Sequence, residues 1–168
     1  MTPDDAFAAI EAAVKRSHAN GPVAVVVIEG DARFTSWAAA CWAYRRRHDF
    51  PRDMYTVDLS EFRRNGCVDL AEVSRVMLRR LGVWRWRVPK SLPARITKYH
   101  QRAASRRVLI VIGNADAAAQ VRALTAGHPG SVILATTRRG LTGFVGDGVQ
   151  FVTTTRTYIG PTIKRQKG

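Results

Sequence analysis

Cysteine is nearly absent. Among 168 residues only Cys41 and Cys67 occur, too few for a disulfide framework, so a reducing cytoplasm is the natural compartment. No apolar run approaches the roughly 18 residues that a membrane helix needs, and Asp4 and Asp5 stand near the N-terminus where a signal peptide would carry basic residues. His18, His48, His100 and His128 lie far apart, and no HExxH or CxxC spacing occurs, so no metal site is expected. A GxSxG elbow is missing too, which removes the usual setting for a Ser-His-Asp hydrolase. There is no internal repeat and no low-complexity tract. Acidic residues are scarce: 13 Asp and Glu face 27 Lys and Arg, a formal charge of +14.

What is present suits one globular domain with its own core. The apolar share of 46% is ordinary for a folded chain. The charge predicts attraction to nucleic acid or an acidic surface at low salt. The basic residues run from Lys15 to Lys167, and Arg far outnumbers Lys. Such dispersal fits a compositional bias better than it fits a polyanion site.

Periodicity gives alternating helices and strands. Thr2, Pro3, Asp4 and Asp5 open a helix bearing Phe7, Ile10 and Val14, which Asn20-Gly21-Pro22 ends. Val23 to Glu29 reads as a strand buried on both faces. A turn at Gly30-Asp31-Ala32-Arg33 precedes a helix predicted from about Ser36 to Arg47, with Trp37, Ala40, Cys41 and Tyr44 on its core-facing stripe. Met54 to Leu59 is a second strand, and Leu70, Val73, Met77 and Leu81 mark the next helix. A connection from Gly82 to Pro93 carries Trp84-Arg85-Trp86-Arg87, and Ser91 caps a short helix with Ile96 and Tyr99. Val108 to Ile112, Ser131 to Thr136 and Val149 to Val152 complete five strands, with a helix at Ala115 to Leu124. The expected architecture is α/β, a mostly parallel sheet covered on both faces. Residues 1–155 form the expected domain, and 156–168 a basic tail.

An apolar strand, a Gly-led turn and a helix at 23–47 have the layout of a phosphate-binding loop. Phe50-Pro51, MYTVDL, Leu81-Gly82-Val83, RRVLIVIGNA, DAAAQVRAL and SVILATTRRGLTGF follow in order. Together these segments resemble the NB-ARC type of P-loop ATPase domain found in actinobacterial multidomain regulators of the signal-transduction ATPase class. The resemblance spans about residues 20–150. It implies a three-layer P-loop NTPase-like fold with a five-stranded sheet in order 5-1-4-3-2.

The departures from that family decide the expected function. A working GxxxxGK[ST] loop cradles phosphates with backbone N–H groups, its Lys and its Mg²⁺-binding hydroxyl. Here Gly30-Asp31-Ala32-Arg33-Phe34-Thr35-Ser36-Trp37 keeps only Gly30 without ambiguity. An ungapped count puts Ser36 at the lysine position and Trp37 at the hydroxyl. One deletion puts Thr35 at the lysine and Ser36 at the hydroxyl, and it brings Trp42-Ala43 and Phe50-Pro51 into the family's register. Neither alignment supplies a lysine. The strand that should end in a Mg²⁺-binding Asp ends in Gly113-Asn114, with Asp116 three residues on. Each lost group is commonly worth about a hundredfold or more in rate. No catalytic residue is therefore assigned.

The resemblance leaves vestigial positions. Arg138 matches the sensor arginine that faces the γ-phosphate, and Gly30, Arg33, Thr35 and Ser36 are the remnants of the phosphate loop. Arg33 better suits an exposed turn, and Arg138 with Arg139 equally suits a solvated basic loop. No cofactor is expected beyond weak ATP or ADP binding. The stretch read here ends just after the fifth strand, so the family's helical and winged-helix domains are not in it. The expected role is an inactive regulatory or interaction module, with a protein partner, a second copy or a full-length ATPase relative, and no membrane. The alternative is a basic nucleic-acid-binding protein using Trp84, Arg85, Trp86 and Arg87, since stacking on Trp with Arg on the backbone is how single strands are held. The same tryptophans would also serve to cover a sheet edge.

Overall fold

The computed structural model describes residues 1–144 and 148–154. The expected tail at 156–168 lies outside the described residues. Helix α1 (Pro3–Asn20) starts as its sequence dictates: the Thr2 hydroxyl accepts from the Asp5 amide at 3.2 Å, and the Asp5 carboxylate accepts from the Thr2 amide at 2.8 Å. Strand β1 (Ala24–Glu29) follows, then α2 (Ala32–Arg45) and β2 (Met54–Asp58). Two two-residue strands, β3 (Arg63–Arg64) and β4 (Cys67–Val68), pair antiparallel around Asn65-Gly66. Helix α3 (Leu70–Arg80), a 3₁₀ turn at Arg85–Arg87 and helix α4 (Leu92–Ala104) precede β5 (Leu109–Gly113), α5 (Ala118–Leu124), β6 (Val132–Thr137) and β7 (Gln150–Thr153).

The main sheet has five strands, all parallel, in the order β2-β5-β6-β1-β7. The hairpin β3/β4, which periodicity did not reveal because its strands are only two residues long, shifts the numbering away from the expected 5-1-4-3-2. Counted without that hairpin, the sheet's strands lie fifth, first, fourth, third and second across it.

Alternation along the strands explains why both faces are covered. Ala24, Val26 and Ile28 of β1, with Leu109, Val111, Val132 and Leu134, pack against α1 and α2. Val25 and Val27, with Ile110, Ile112, Ile133 and Ala135, pack against α3, α4 and α5. That is a three-layer α/β arrangement. On the second face Tyr99 is fully buried and donates its hydroxyl to the Leu124 carbonyl at 2.8 Å, tying α4 to the end of α5. Burial pushes its phenol well above the ordinary tyrosine value. At the sheet edge, the Arg80 guanidinium on α3 donates to the Thr56 carbonyl of β2. Among the described residues no helix is long and apolar enough to cross a membrane.

Helix α2 departs from expectation in two ways. It begins at Ala32, about one turn before Ser36, because Asp31 is its N-cap. Its buried face is Thr35, Ala38, Ala39, Trp42 and Ala43. Trp37, Ala40 and Tyr44, expected to face the core, are exposed, and Cys41 is only partly covered. Five alanines in this helix make both stripes look apolar, and the bulk of Trp42 decides which one packs. Its ring is buried against α1, with Nε1 donating to the Glu11 carboxylate at 3.0 Å, and Arg46 closes on the same carboxylate.

Candidate functional site

In a parallel sheet, ligands bind outside the carboxyl ends of the strands. At the end of β1 the chain turns in only two residues, Gly30 and Asp31. Gly30 has φ +149°, a conformation that glycine tolerates and other residues resist. Its amide donates to the Thr137 carbonyl at 3.0 Å. Thr154 lies directly over it: a methyl group placed on Gly30 would come within 2.1 Å of the Thr154 hydroxyl oxygen. Thr154 is held there by its amide at 2.8 Å and its hydroxyl at 3.0 Å, both donating to the Glu29 carbonyl.

The first amides of α2 already have an acceptor. The Asp31 carboxylate accepts from the Arg33 amide at 3.1 Å and the Phe34 amide at 3.2 Å. A helix N-terminus attracts anions through these groups and its dipole, and here the chain fills that position with its own carboxylate. The turn is correspondingly too short to form a GxxxxGK[ST]-type loop, so Arg33, Thr35 and Ser36 lie on the helix itself. Arg33 is exposed on the first turn, whereas Thr35 is buried and donates its hydroxyl to the Ala32 carbonyl at 3.3 Å.

Two clefts open beside the ends of β5 and β6. One, of about 440 Å³, brings Ser36 together with Asp58, Gly113 and Thr136. The other, of about 420 Å³, is lined by Ser60, Arg63, Asn114, Asp116, Arg138 and Arg139. Of the predicted residues, Ser36 thus lies in the first and Arg138 in the second; Gly30, Arg33 and Thr35 line neither.

Sequence reasoning missed the carboxylate that stands beside Gly113. A methyl group at Gly113 would touch Asp58 at 3.5 Å, so the end of β2 supplies an acid next to the position where the end of β5 has none. That acid is engaged. Asp58 Oδ1 accepts from the Ser60 amide at 2.9 Å, the Ser60 hydroxyl at 2.7 Å and Asn114 Nδ2 at 2.9 Å. Burial acts to raise its carboxyl, and the Ser60 and Asn114 hydrogen bonds outweigh it, holding it below the ordinary carboxylate range. Asn114 sits in the left-handed region at φ 55°, which turns its amide onto Asp58. The other acid of the cleft, Asp116, pairs with Arg63 at 2.6 Å and accepts from Gln120. Among the described residues no cluster of His, Cys, Asp and Glu could hold a metal ion. The signal for Asp58 was its place as the last residue of the strand MYTVD, next to the edge where ligands bind.

The predicted aromatic and basic stretch stands elsewhere, on the connection between α3 and α4. Trp84 and Trp86 are 65% and 77% exposed, so they do not cover a sheet edge. Their rings stack on one another with centroids 5.2 Å apart and planes 20° from parallel.

No family model matches the chain. Among curated proteins it is similar to the regulatory protein AfsR of Streptomyces griseus, 35% identical over 99 residues. The match covers 57% of this chain and 10% of AfsR, so the chain spans only a small part of the length of that relative.

Proposed function

We propose that this chain is a regulatory or protein-interaction module on a P-loop-type NB-ARC-like scaffold, whose nucleotide position is closed by its own side chains. One observation carries the reading. Asp31 caps the helix end to which a P-loop would bring phosphate, while Thr154 lies over the glycine that precedes it. A carboxylate in that position repels phosphate as well as displacing it. The missing lysine and the glycine at 113 act in the same direction. The resemblance to a regulatory protein supports a role in regulation, exercised in the cytoplasm on a protein partner, a second copy of the chain or a longer relative. Arg138 and Ser36 remain as vestiges of the ancestral site, with ATP or ADP bound weakly at most.

The test is calorimetric titration with ATP and ADP, with and without Mg²⁺, alongside phosphate release. The expected outcome is no Mg²⁺-dependent hydrolysis, and a dissociation constant of about 0.2 mM or weaker, near −5 kcal/mol. Steady phosphate release abolished by EDTA, or micromolar binding, would overturn the proposal.

A further inference from the structure

Part of the positive charge gathers on one face of the fold. Between Val73 and Ala115 the chain carries eleven basic residues and no Asp or Glu. That stretch contains most of α3, the 3₁₀ turn and all of α4, elements that cover the same face of the sheet. Carboxylates outside the stretch pair with Arg75, through Glu72, and with Arg106, through Asp53 at 3.2 Å. Arg79, Arg85, Arg87 and Lys90 are exposed and form no ion pair among the described residues.

The turn that displays the tryptophans is pinned by side chains of α4 and by its own backbone. Lys98 on α4 donates its ammonium to the Arg87 carbonyl at 2.6 Å. Arg95 donates to the Pro89 carbonyl at 2.6 Å and, through its other arm, to the Ala71 carbonyl at 2.7 Å. The Arg87 amide closes on the Trp84 carbonyl at 2.8 Å. Carbonyl partners fix these cations in place but leave their charge unneutralised. Two large indoles held in the open are costly for a solvated surface, and their presence on a rigid turn calls for a ligand that is both flat and anionic.

We infer that Trp84 and Trp86, with Arg85 and Arg87 interleaved and Arg79 and Lys90 to either side in sequence, form a docking surface for single-stranded nucleic acid. Bases stack on the outer indole faces, and the neighbouring cations meet successive phosphates. A duplex hides its base faces and an acidic peptide has none, so charge together with exposed aromatic planes favours a single strand. This inference is independent of the closed nucleotide position.

Fluorescence anisotropy of the full chain with labelled oligo-U and oligo-dT of about twelve nucleotides, beside a duplex of equal length, tests it. At about 0.15 M salt, either single strand should bind at least about tenfold more tightly than the duplex, and the U/dT ratio reports the preferred sugar. Trp84→Ala with Trp86→Ala should weaken binding by about tenfold or more, with Trp84→Phe and Trp86→Phe restoring most of it. Arg85→Ala with Arg87→Ala should lower the slope of log K against log salt by about 1.4 while leaving the preference for single strands. Because both tryptophans are exposed, the melting temperature should stay unchanged in the tryptophan variants. Equal binding of duplex, or indifference to the Trp-to-Ala pair, would overturn the inference. Displacement of the oligonucleotide by polyglutamate at equal charge concentration would assign the surface to an acidic protein segment and overturn it as well.

Discussion

Asp31 does two jobs that substitution separates. As an N-cap it satisfies amides that would otherwise face water or nothing, and as a carboxylate it sets the sign of charge at the helix end. Asp31→Ala should cost about 1 kcal/mol in urea unfolding, whereas Asp31→Asn, an equally good cap, should cost little. The same Asn variant should bind inorganic phosphate or ATP more tightly than the parent, since only the repelling charge has gone. Unchanged anion binding in Asp31→Asn would show that the carboxylate is not what excludes the ligand. Gly30→Ala meets a different obstacle, at φ +149° and with Thr154 in the space of the added methyl, so it should destabilise by about 1–3 kcal/mol. Alongside Asp5 and Glu72, whose carboxyls are also held down by hydrogen bonds, Asp58 contributes to the pH dependence. Its folded-state value lies below the unfolded one, so its hydrogen bonds stabilise the fold fully above the ordinary carboxylate value and are lost as pH falls through the folded value. Ser60→Ala removes one of those donors, and the acid-unfolding midpoint followed by circular dichroism should move to higher pH.

Elements differ in how plainly the sequence announces them. Helix α3 and strands β1, β5 and β6 were legible because one period dominates each: Leu70, Val73 and Met77 for the helix, unbroken β-branched or aliphatic runs for the strands. Helix α2 was not, since its alanines satisfy two stripes at once and its cap is a residue that also suits a turn. Only tertiary contact with Glu11 and the α1 core selects the face with Trp42. The candidate site shows the same limit. Gly30, Ser36 and Arg138 could be located by the order of segments, yet the pairing of Asp58 with Asn114 joins residues 56 positions apart and has no local signature. Charge is legible only as a total for a related reason: a list of arginines says nothing about which share a face. Trp42→Ala should therefore cost about 3–5 kcal/mol through the cavity it leaves between α1 and α2. Substitution of exposed Trp37 by Ala should fall within about 0.5 kcal/mol of the parent. Urea denaturation of the two variants checks the assigned face directly.

At the scale of the whole molecule, a formal charge of +14 on 168 residues means that the folded state confines its own repulsion. Added salt at moderate concentration should raise the melting temperature, and multivalent anions should do so more strongly than chloride at equal ionic strength. A melting temperature that falls with added salt would show that attractive pairs such as Arg106 with Asp53 outweigh the repulsion. The contact from Arg80 to Thr56 has a bearing on colloidal behaviour. Strand β2 ends the sheet on one side, and a terminal strand offers backbone groups to any other extended chain, including another copy of itself. Met54 on the same strand is 42% exposed, which makes this border adhesive as well as open. By occupying the Thr56 carbonyl and bringing a guanidinium to that border, Arg80 acts as a gatekeeper against growth of the sheet from one molecule into the next. Arg80→Ala should leave the fold intact by far-ultraviolet circular dichroism but shorten the lag before light scattering rises in concentrated solution, most of all in high salt where the remaining repulsion is screened.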